Sequence, residues 1–351
     1  MLRLPRFRMA VPPTLDEATR MLRDLGAHEQ DPGAVGTLGL RVMAVAGGTD
    51  LYPNMKRRQF TPEVLVSLGR AVDRTIPSKT ASGAGADTFR IGAGATLTRI
   101  AEHPVVRARY AALATAAGLV STPQLRNMGT IGGNVCLDTR CNWYNESLFW
   151  RTAEGFCMKT HPDVVCRVAT SSPRCLAVAS ADTVPALMVL GAWVRVRSAD
   201  AEREVELAHL YQEDGMRYLT IRRDEIVTEV RLPVAEGWRS TYLKARDRGS
   251  FDFPIVGLAA AVRMDGRTVA DARIAVTAVA SRPILVEAAR TALVGSRMED
   301  EAIAAAAEAA FKSARPMDNT SSTIAQRKRT VSVFATRALR ELRDGAAASA
   351  A

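Results

Sequence analysis

The sequence predicts an α+β protein of two packed units, and three observations predict it. Short apolar strands alternate with helical segments as far as Leu232. A polar break, Ala235-Glu236-Gly237, then interrupts the pattern. Beyond it, strands come first and long helices follow. The 351 residues suffice for two or three units rather than one. The expected division is 1–236, subdivided near 60 and carrying an insertion at 136–179, then 237–345, then a tail at 346–351.

Taken in order, Thr14 and Glu17 form a capping box, followed by Leu15, Ala18, Met21, Leu22 and Leu25 at helical spacing, with Gly26 as the stop. Arg41 to Ala46 is an apolar strand running into Gly47-Gly48-Thr49-Asp50. Val64 to Leu68 is a second strand, and Phe89 to Ile91 a third that leads into Gly92-Ala93-Gly94. Thr98 is placed as the cap of a helix starting near Arg99, and Arg109 to Ala117 as another helix. Thr183 to Leu190 reads as a helix, and Trp193 to Arg197 and Ile226 to Leu232 as strands. After the break, Ser240 to Arg246 and Ile274 to Val279 read as strands. Pro283 to Val294, Glu299 to Ser313 and Ile324 to Leu342 read as helices, with a frayed tail from Gly345.

Composition excludes several classes. Apolar residues make up 47% and charged residues 24%, a globular profile. No apolar run approaches the ~20 residues of a membrane span. The basic start, Met1 to Arg8, lacks the apolar core of a signal peptide, so a cytoplasmic location away from membranes is expected. The net charge of +10 suits an acidic partner, an anionic ligand or an ordinary solvated surface. Scattered Lys and Arg with only 5% aromatics argue against nucleic acid. His28, His103, His161 and His209 form no cluster, and no catalytic triad or acid/base carboxylate pair is legible.

The glycine pairs carry more chemistry. Adjacent glycines allow positive φ and clear side chains from a ligand's approach. Successive backbone N–H groups then form an anion nest, which suits a pyrophosphate. Gly47-Gly48 follows a strand, with the Thr49 hydroxyl beside it. Thr130-Ile131-Gly132-Gly133-Asn134 has the same build, and Asn134 tolerates left-handed backbone. Neither pair matches GxGxxG or GxxxxGK[ST], so a nucleotide here is not held by a Rossmann unit. Taken singly, such a pair is usually just a turn.

All five cysteines, Cys136, Cys141, Cys157, Cys166 and Cys175, fall in one weakly patterned stretch. An odd count in a cytoplasmic chain argues against a disulfide framework. From Cys141 onward the spacing is C-x15-C-x8-C-x8-C. It lacks the close C-x2-C pairs of common zinc sites and the ferredoxin spacings. Chemistry alone leaves an iron–sulfur cluster, zinc and free buried thiols open.

Ala46-Gly47-Gly48-Thr49-Asp50 and Leu125-Arg126-Asn127-Met128-Gly129-Thr130-Ile131-Gly132-Gly133-Asn134 resemble the FAD loops of the medium subunits of the xanthine dehydrogenase and carbon monoxide dehydrogenase family. The resemblance continues at Arg90 to Ala95, Ser180 to Leu187, Asp224 to Val227 and Tyr242-Leu243-Lys244-Ala245-Arg246. It implies a PCMH-type FAD-binding domain of two α/β subdomains, then a smaller α+β domain. It also implies FAD held by Ala46, Gly47, Gly48, Thr49, Asp50, Leu51 and Asn54, and by Asn127, Thr130, Ile131, Gly132, Gly133 and Asn134. Asp182 would bond the sugar or flavin portion; the Val227 backbone and Lys244 would lie near the isoalloxazine. Read without the resemblance, Asp182 is a helix N-cap and Lys244 a solvated strand residue.

The stretch from Cys136 to Ala179 resembles the insertion of the 4-hydroxybenzoyl-CoA reductase branch of that family. This implies a 4Fe-4S cluster on Cys141, Cys157, Cys166 and Cys175, with Cys136 a small buried residue beside the FAD loop. His161, in a segment that departs from the branch pattern, is either a substitute ligand or a solvated loop residue. The resemblance further implies an electron relay between a large molybdenum-cofactor subunit and a small subunit with 2Fe-2S clusters, in a dimer of heterotrimers served by a ferredoxin-like donor.

Overall fold

The computed structural model describes residues 2–26, 40–78 and 88–349, with backbone only from 346 on. His28 lies outside the described residues. Three strands open the fold: β1 (Arg8–Ala10), β2 (Val42–Val45) and β3 (Val64–Ser67), all parallel, in the order β1-β3-β2. The helix Leu15–Leu25 packs on this sheet, capped by the Thr14 hydroxyl and closed at Gly26 as its sequence requires. Val45, Met55, Phe60 and Leu65 form a small core on the sheet. Because β3 is the central strand, the first subdomain continues past the boundary expected near 60.

The second subdomain is an antiparallel sheet of β4 (Thr88–Gly92), β5 (Trp193–Arg197), β6 (Glu202–Glu206) and β7 (Ile226–Pro233), in the order β4-β7-β5-β6. Its helices include Leu97–Glu102, which Thr96 caps through the Arg99 N–H. The expected cap, Thr98, instead donates to Asn127 Oδ1 at 2.7 Å. The helix expected from Arg109 to Ala117 runs from Ala111 to Leu119; Arg109 instead ends a separate helix, Pro104–Arg109, and the Tyr110 between them donates its hydroxyl to the Pro233 carbonyl.

The third sheet comprises β8 (Trp238–Ala245), β9 (Val256–Asp265), β10 (Thr268–Thr277) and β11 (Ile284–Leu285), all antiparallel. Alternate residues of β9 serve two cores. Leu258, Ala260 and Val262 face the helices Glu287–Leu293, Asp300–Ser313 and Ile324–Ser349, while Ala259 and Ala261 join the core of the first unit. A sheet packed on both faces shows no polar alternation, which is why β9 escapes a pattern reading. The last helix runs to Ser349, so the tail expected to fray from Gly345 is helical. The helix Thr183–Val189 is buried along its whole length and packs against β9, β10 and the helices Ala111–Leu119 and Ile131–Val135. It places Asp182 where the two units meet.

Candidate functional site: a glycine-waisted cleft and a four-thiol cavity

Ala46 to Asp50 run from the end of β2 into the helix Leu51–Lys56. Gly48 has φ +68°, a conformation that favours glycine. A Cβ on Gly47 would fall 2.0 Å from the Met128 carbonyl oxygen, so this loop presses directly on the backbone before Thr130. Among the described residues, the N–H groups of Gly47, Gly48, Thr49 and Asp50 donate to no protein acceptor. Four successive free N–H groups are what an anion nest requires.

The second glycine pair differs from the loop expected there. Ile131–Val135 is one helical turn capped by Thr130, whose hydroxyl accepts from the Gly133 N–H at 3.1 Å. Asn134 is helical rather than left-handed. The Ile131 and Gly132 N–H groups bond Ala95 and Ala93 carbonyls, and a Cβ on Gly132 would lie 2.8 Å from that of Ala93. Gly132 therefore serves close packing, and the N–H groups of both glycines are already engaged within the fold. Asn134 Oδ1 accepts from the Thr183 N–H and hydroxyl, which leaves the amide nitrogen for the cleft.

The cleft has two lobes. The first, about 370 Å³, is lined by Ala46 to Leu51, Asn54, Asn134 and Asp182. The second, about 270 Å³, is lined by Asn127, Gly132 and Val227. Gly47, Thr130 and Gly133 line both and form the waist. Ile131 is wholly buried in the core and reaches neither lobe. Val227 lines the second lobe, whereas Lys244, expected beside the same ring, lines neither lobe and pairs with Asp182 of the first.

Asp182 occupies the N-cap position of its helix but makes no capping bond. Its carboxylate accepts from the Tyr242 hydroxyl at 2.7 Å and pairs with Lys244 Nζ at 2.9 Å. Lys244 also donates to the Leu119 and Asp252 carbonyls, so it is a buried, fully engaged cation, not a solvated one. Burial pushes the Asp182 carboxyl up against the pull of Lys244, and burial pushes Lys244 down. Tyr242 was missed as a site residue; it lies on the same face of β8 as Lys244, a period-2 signal that could have found it. Arg140 was missed too, in a stretch without pattern. It pairs with Asp50, donates to Asn54 Oδ1 at 3.0 Å and lies over the Phe253 ring. Burial pushes Arg140 down to about 10, and it remains a cation at neutral pH.

A two-lobed cleft with an anion nest at its waist fits FAD, a pyrophosphate flanked by two ring systems. Gly133→Val tests the waist. Within the fold, a Cβ there would meet only Thr130 Oγ1, at 3.1 Å, so the added bulk projects into the cleft. The variant is expected to fold yet purify without flavin; stoichiometric flavin absorbance would remove Gly133 from the site.

Cys141, Cys157, Cys166 and Cys175 are all buried and line a single small cavity, about 10 Å³, with Lys159 and Arg167. Two short helices, Asn142–Asn145 and Leu148–Ala153, frame this otherwise irregular insertion. The Ala177 N–H donates to Cys175 Sγ at 3.4 Å. Burial pushes Cys141 up to about 11 and Cys175 up to about 12. Among the described residues, no three His, Cys, Asp or Glu groups are arranged to hold a metal ion as they stand. The donor set nevertheless suits a soft-ligand centre, because four thiols converge with no carboxylate or imidazole between them. His161 is absent from the lining and packs, tilted, against the Phe156 ring. Cys136 is apart from the four, at the end of the helix Ile131–Val135, and lines both flavin-cleft lobes.

Comparison with known proteins agrees with this geometry. Residues 5–235 match the family described as the FAD binding domain in molybdopterin dehydrogenase, and residues 240–342 match the CO dehydrogenase flavoprotein C-terminal domain. The chain is 29% identical to the carbon monoxide dehydrogenase medium chain of Hydrogenophaga pseudoflava, over 90% of this chain and 89% of that one. It is 32% identical to the aldehyde oxidoreductase FAD-binding subunit of Escherichia coli K12, over 70% and 77%. Among solved structures, a carbon monoxide dehydrogenase from Hydrogenophaga pseudoflava superposes with a TM-score of 0.74 at 26% identity, covering 96% of this chain and 97% of the other. No helix among the described residues is long and apolar enough to cross a membrane. The chain belongs to the molybdenum hydroxylase family, as an FAD-binding medium subunit of the carbon monoxide dehydrogenase type.

Proposed function

We propose that this chain is the FAD and iron–sulfur relay of a 4-hydroxybenzoyl-CoA reductase or a near relative, working in the cytoplasm. One observation carries the reading: four buried cysteines, distant in sequence, converge on one cavity beside the flavin cleft. Cys141, Cys157, Cys166 and Cys175 would hold a 4Fe-4S cluster there, and Lys159 and Arg167 would face its negative charge. FAD supplies two-electron chemistry that can be divided into single-electron transfers. The chain's own residues do the rest: the nest binds the pyrophosphate, Asn134 and Asp182 orient the ligand, and Lys244 holds a positive charge behind Asp182. A large molybdenum-cofactor subunit would carry the substrate pocket, a small 2Fe-2S subunit would complete a heterotrimer, and a ferredoxin-like protein would donate.

A second reading makes the chain the FAD subunit of a hydroxylase for another aromatic or heterocycle, with electrons leaving through FAD. It is favoured by similarity to the nicotine 6-hydroxylase medium subunit of Paenarthrobacter nicotinovorans, 26% identical over 89% of this chain and 88% of that one. Assay of the assembled complex with 4-hydroxybenzoyl-CoA and a low-potential donor separates the two, since only the first reading expects benzoyl-CoA.

Anaerobic absorption and metal analysis test the cluster itself. Flavin bands with about four irons per chain are expected from the four-thiolate set; a zinc-stapled scaffold would be colourless and rich in zinc. Cys157→Ser should abolish the iron while leaving FAD bound, because Cys157 lines the thiol cavity and neither lobe of the flavin cleft. Normal donor-driven turnover in that variant would sink the relay.

A further inference from the structure

Between the flavin cleft and the thiol cavity lies a charged network that joins the two sites. Lys159 is 1% exposed and Asp138 6%. Lys159 Nζ pairs with Asp138 Oδ1 at 2.7 Å and also donates to the Thr139 carbonyl and hydroxyl and to the Gly215 carbonyl at 2.9 Å. The Tyr144 hydroxyl donates to Asp138 Oδ2 at 2.9 Å, and the Tyr144 ring lies 4.5 Å from the ammonium. The pair is polarised between the two sites. Lys159 lines the thiol cavity and not the flavin cleft, whereas Asp138 lines the first lobe of the cleft and not the thiol cavity. Gly215 ties the cation to the thiol side, since its N–H donates to the Cys175 carbonyl at 2.8 Å.

A buried ion pair is a costly way to hold a loop; an apolar pair of similar size is often as stable. A fixed dipole in a low-dielectric wall, however, acts strongly on charge appearing at either end. We propose that Lys159 and Asp138 are positioning residues that set the difference in reduction potential between the flavin and the thiol-bound centre. The proposal rests on the cluster reading above. Reduction adds one negative charge to whichever centre takes the electron. The ammonium stabilises that charge on the thiol side, and the carboxylate opposes it on the flavin side. The pair thus raises the potential of the thiol-bound centre and lowers that of the flavin.

The test is an anaerobic redox titration of the intact, flavin-loaded protein, followed by EPR for the thiol-bound centre and by absorbance for the flavin. Lys159→Met should lower the potential of the thiol-bound centre, and Asp138→Asn should raise the flavin's. Either single change leaves one buried charge alone, so the double variant K159M/D138N, neutral and of similar shape, is the decisive protein. In it the thiol-bound centre should titrate lower and the flavin higher than in the parent. Potentials that stay put, or that move in the same direction, would show a merely structural pair. Absence of iron from the parent protein would instead remove the cluster reading, and the proposal with it.

Discussion

Gly47→Ala is expected to give a folded protein that has lost most of its flavin affinity. The added Cβ would lie 2.0 Å from the Met128 carbonyl oxygen, 2.6 Å from its carbon and 3.1 Å from the Gly129 nitrogen. All three are backbone atoms, so no side chain can rotate away. The loop from Ala46 to Asp50 must part from the segment before Thr130, and both line the waist of the cleft. The strain falls on the contact that shapes the waist of the cleft, where the flavin nucleotide is held. Overpacking of this kind costs about 1–3 kcal/mol. At the upper end that corresponds to roughly a hundredfold loss of affinity. Gly118→Ala is the matched control: it lies in the helix Ala111–Leu119, and its Cβ would approach nothing nearer than Ala101 Cβ at 3.7 Å. It should gain about 0.5–1 kcal/mol from helix propensity and keep its flavin. Flavin titration of the two apoproteins checks both. Equal affinities would show that the close approach of the loops is not needed for binding.

The same pair of glycines shows what is legible in a sequence. Gly47-Gly48 after an apolar strand implies a turn with free N–H groups, and the fold contains it. Gly132-Gly133 looks alike in sequence but is a helical turn whose N–H groups are used, because Gly132 answers a packing demand from Ala93, 39 positions earlier in the chain and just past β4. Such a demand is tertiary and leaves no local pattern. The strands β5 and β7 were legible from apolar runs and alternation, whereas β9, buried on both faces and rich in alanine, was not. The four cysteines were legible as a set, but their convergence was not, because the short helices between them carry little periodicity. Arg140 and the Lys159–Asp138 pair were illegible for a related reason: a charged residue in an irregular segment reads as solvated until its burial is known.

Lys244→Met and Asp182→Asn are expected to destabilise the protein with opposite dependence on pH. Both side chains of the pair are nearly inaccessible, and breaking such a pair by removing one partner typically costs about 3–5 kcal/mol. In Lys244→Met, the Asp182 carboxylate keeps only Tyr242 as a donor, and burial, already the dominant influence on it, goes unopposed by the nearby ammonium. Its folded pKa is then raised above the unfolded value near 3.9. A group raised on folding is best tolerated below its unfolded pKa, and stability falls as pH rises toward the folded pKa. The deficit of Lys244→Met should therefore be small at about pH 4 and grow toward neutrality, by at most about 1.4 kcal/mol per pH unit. In Asp182→Asn the buried cation is left with the Leu119 and Asp252 carbonyls. Its folded pKa is depressed below the unfolded value near 10.4, so stability is fullest above that value and is lost as pH falls through the folded pKa. That deficit should be smallest in alkali and should level off below the folded pKa, with the carbonyls making it the milder of the two. Chemical denaturation across this pH range measures both slopes. Two deficits that do not vary with pH would mean that packing, and not charge, is what the pair contributes where the two units meet.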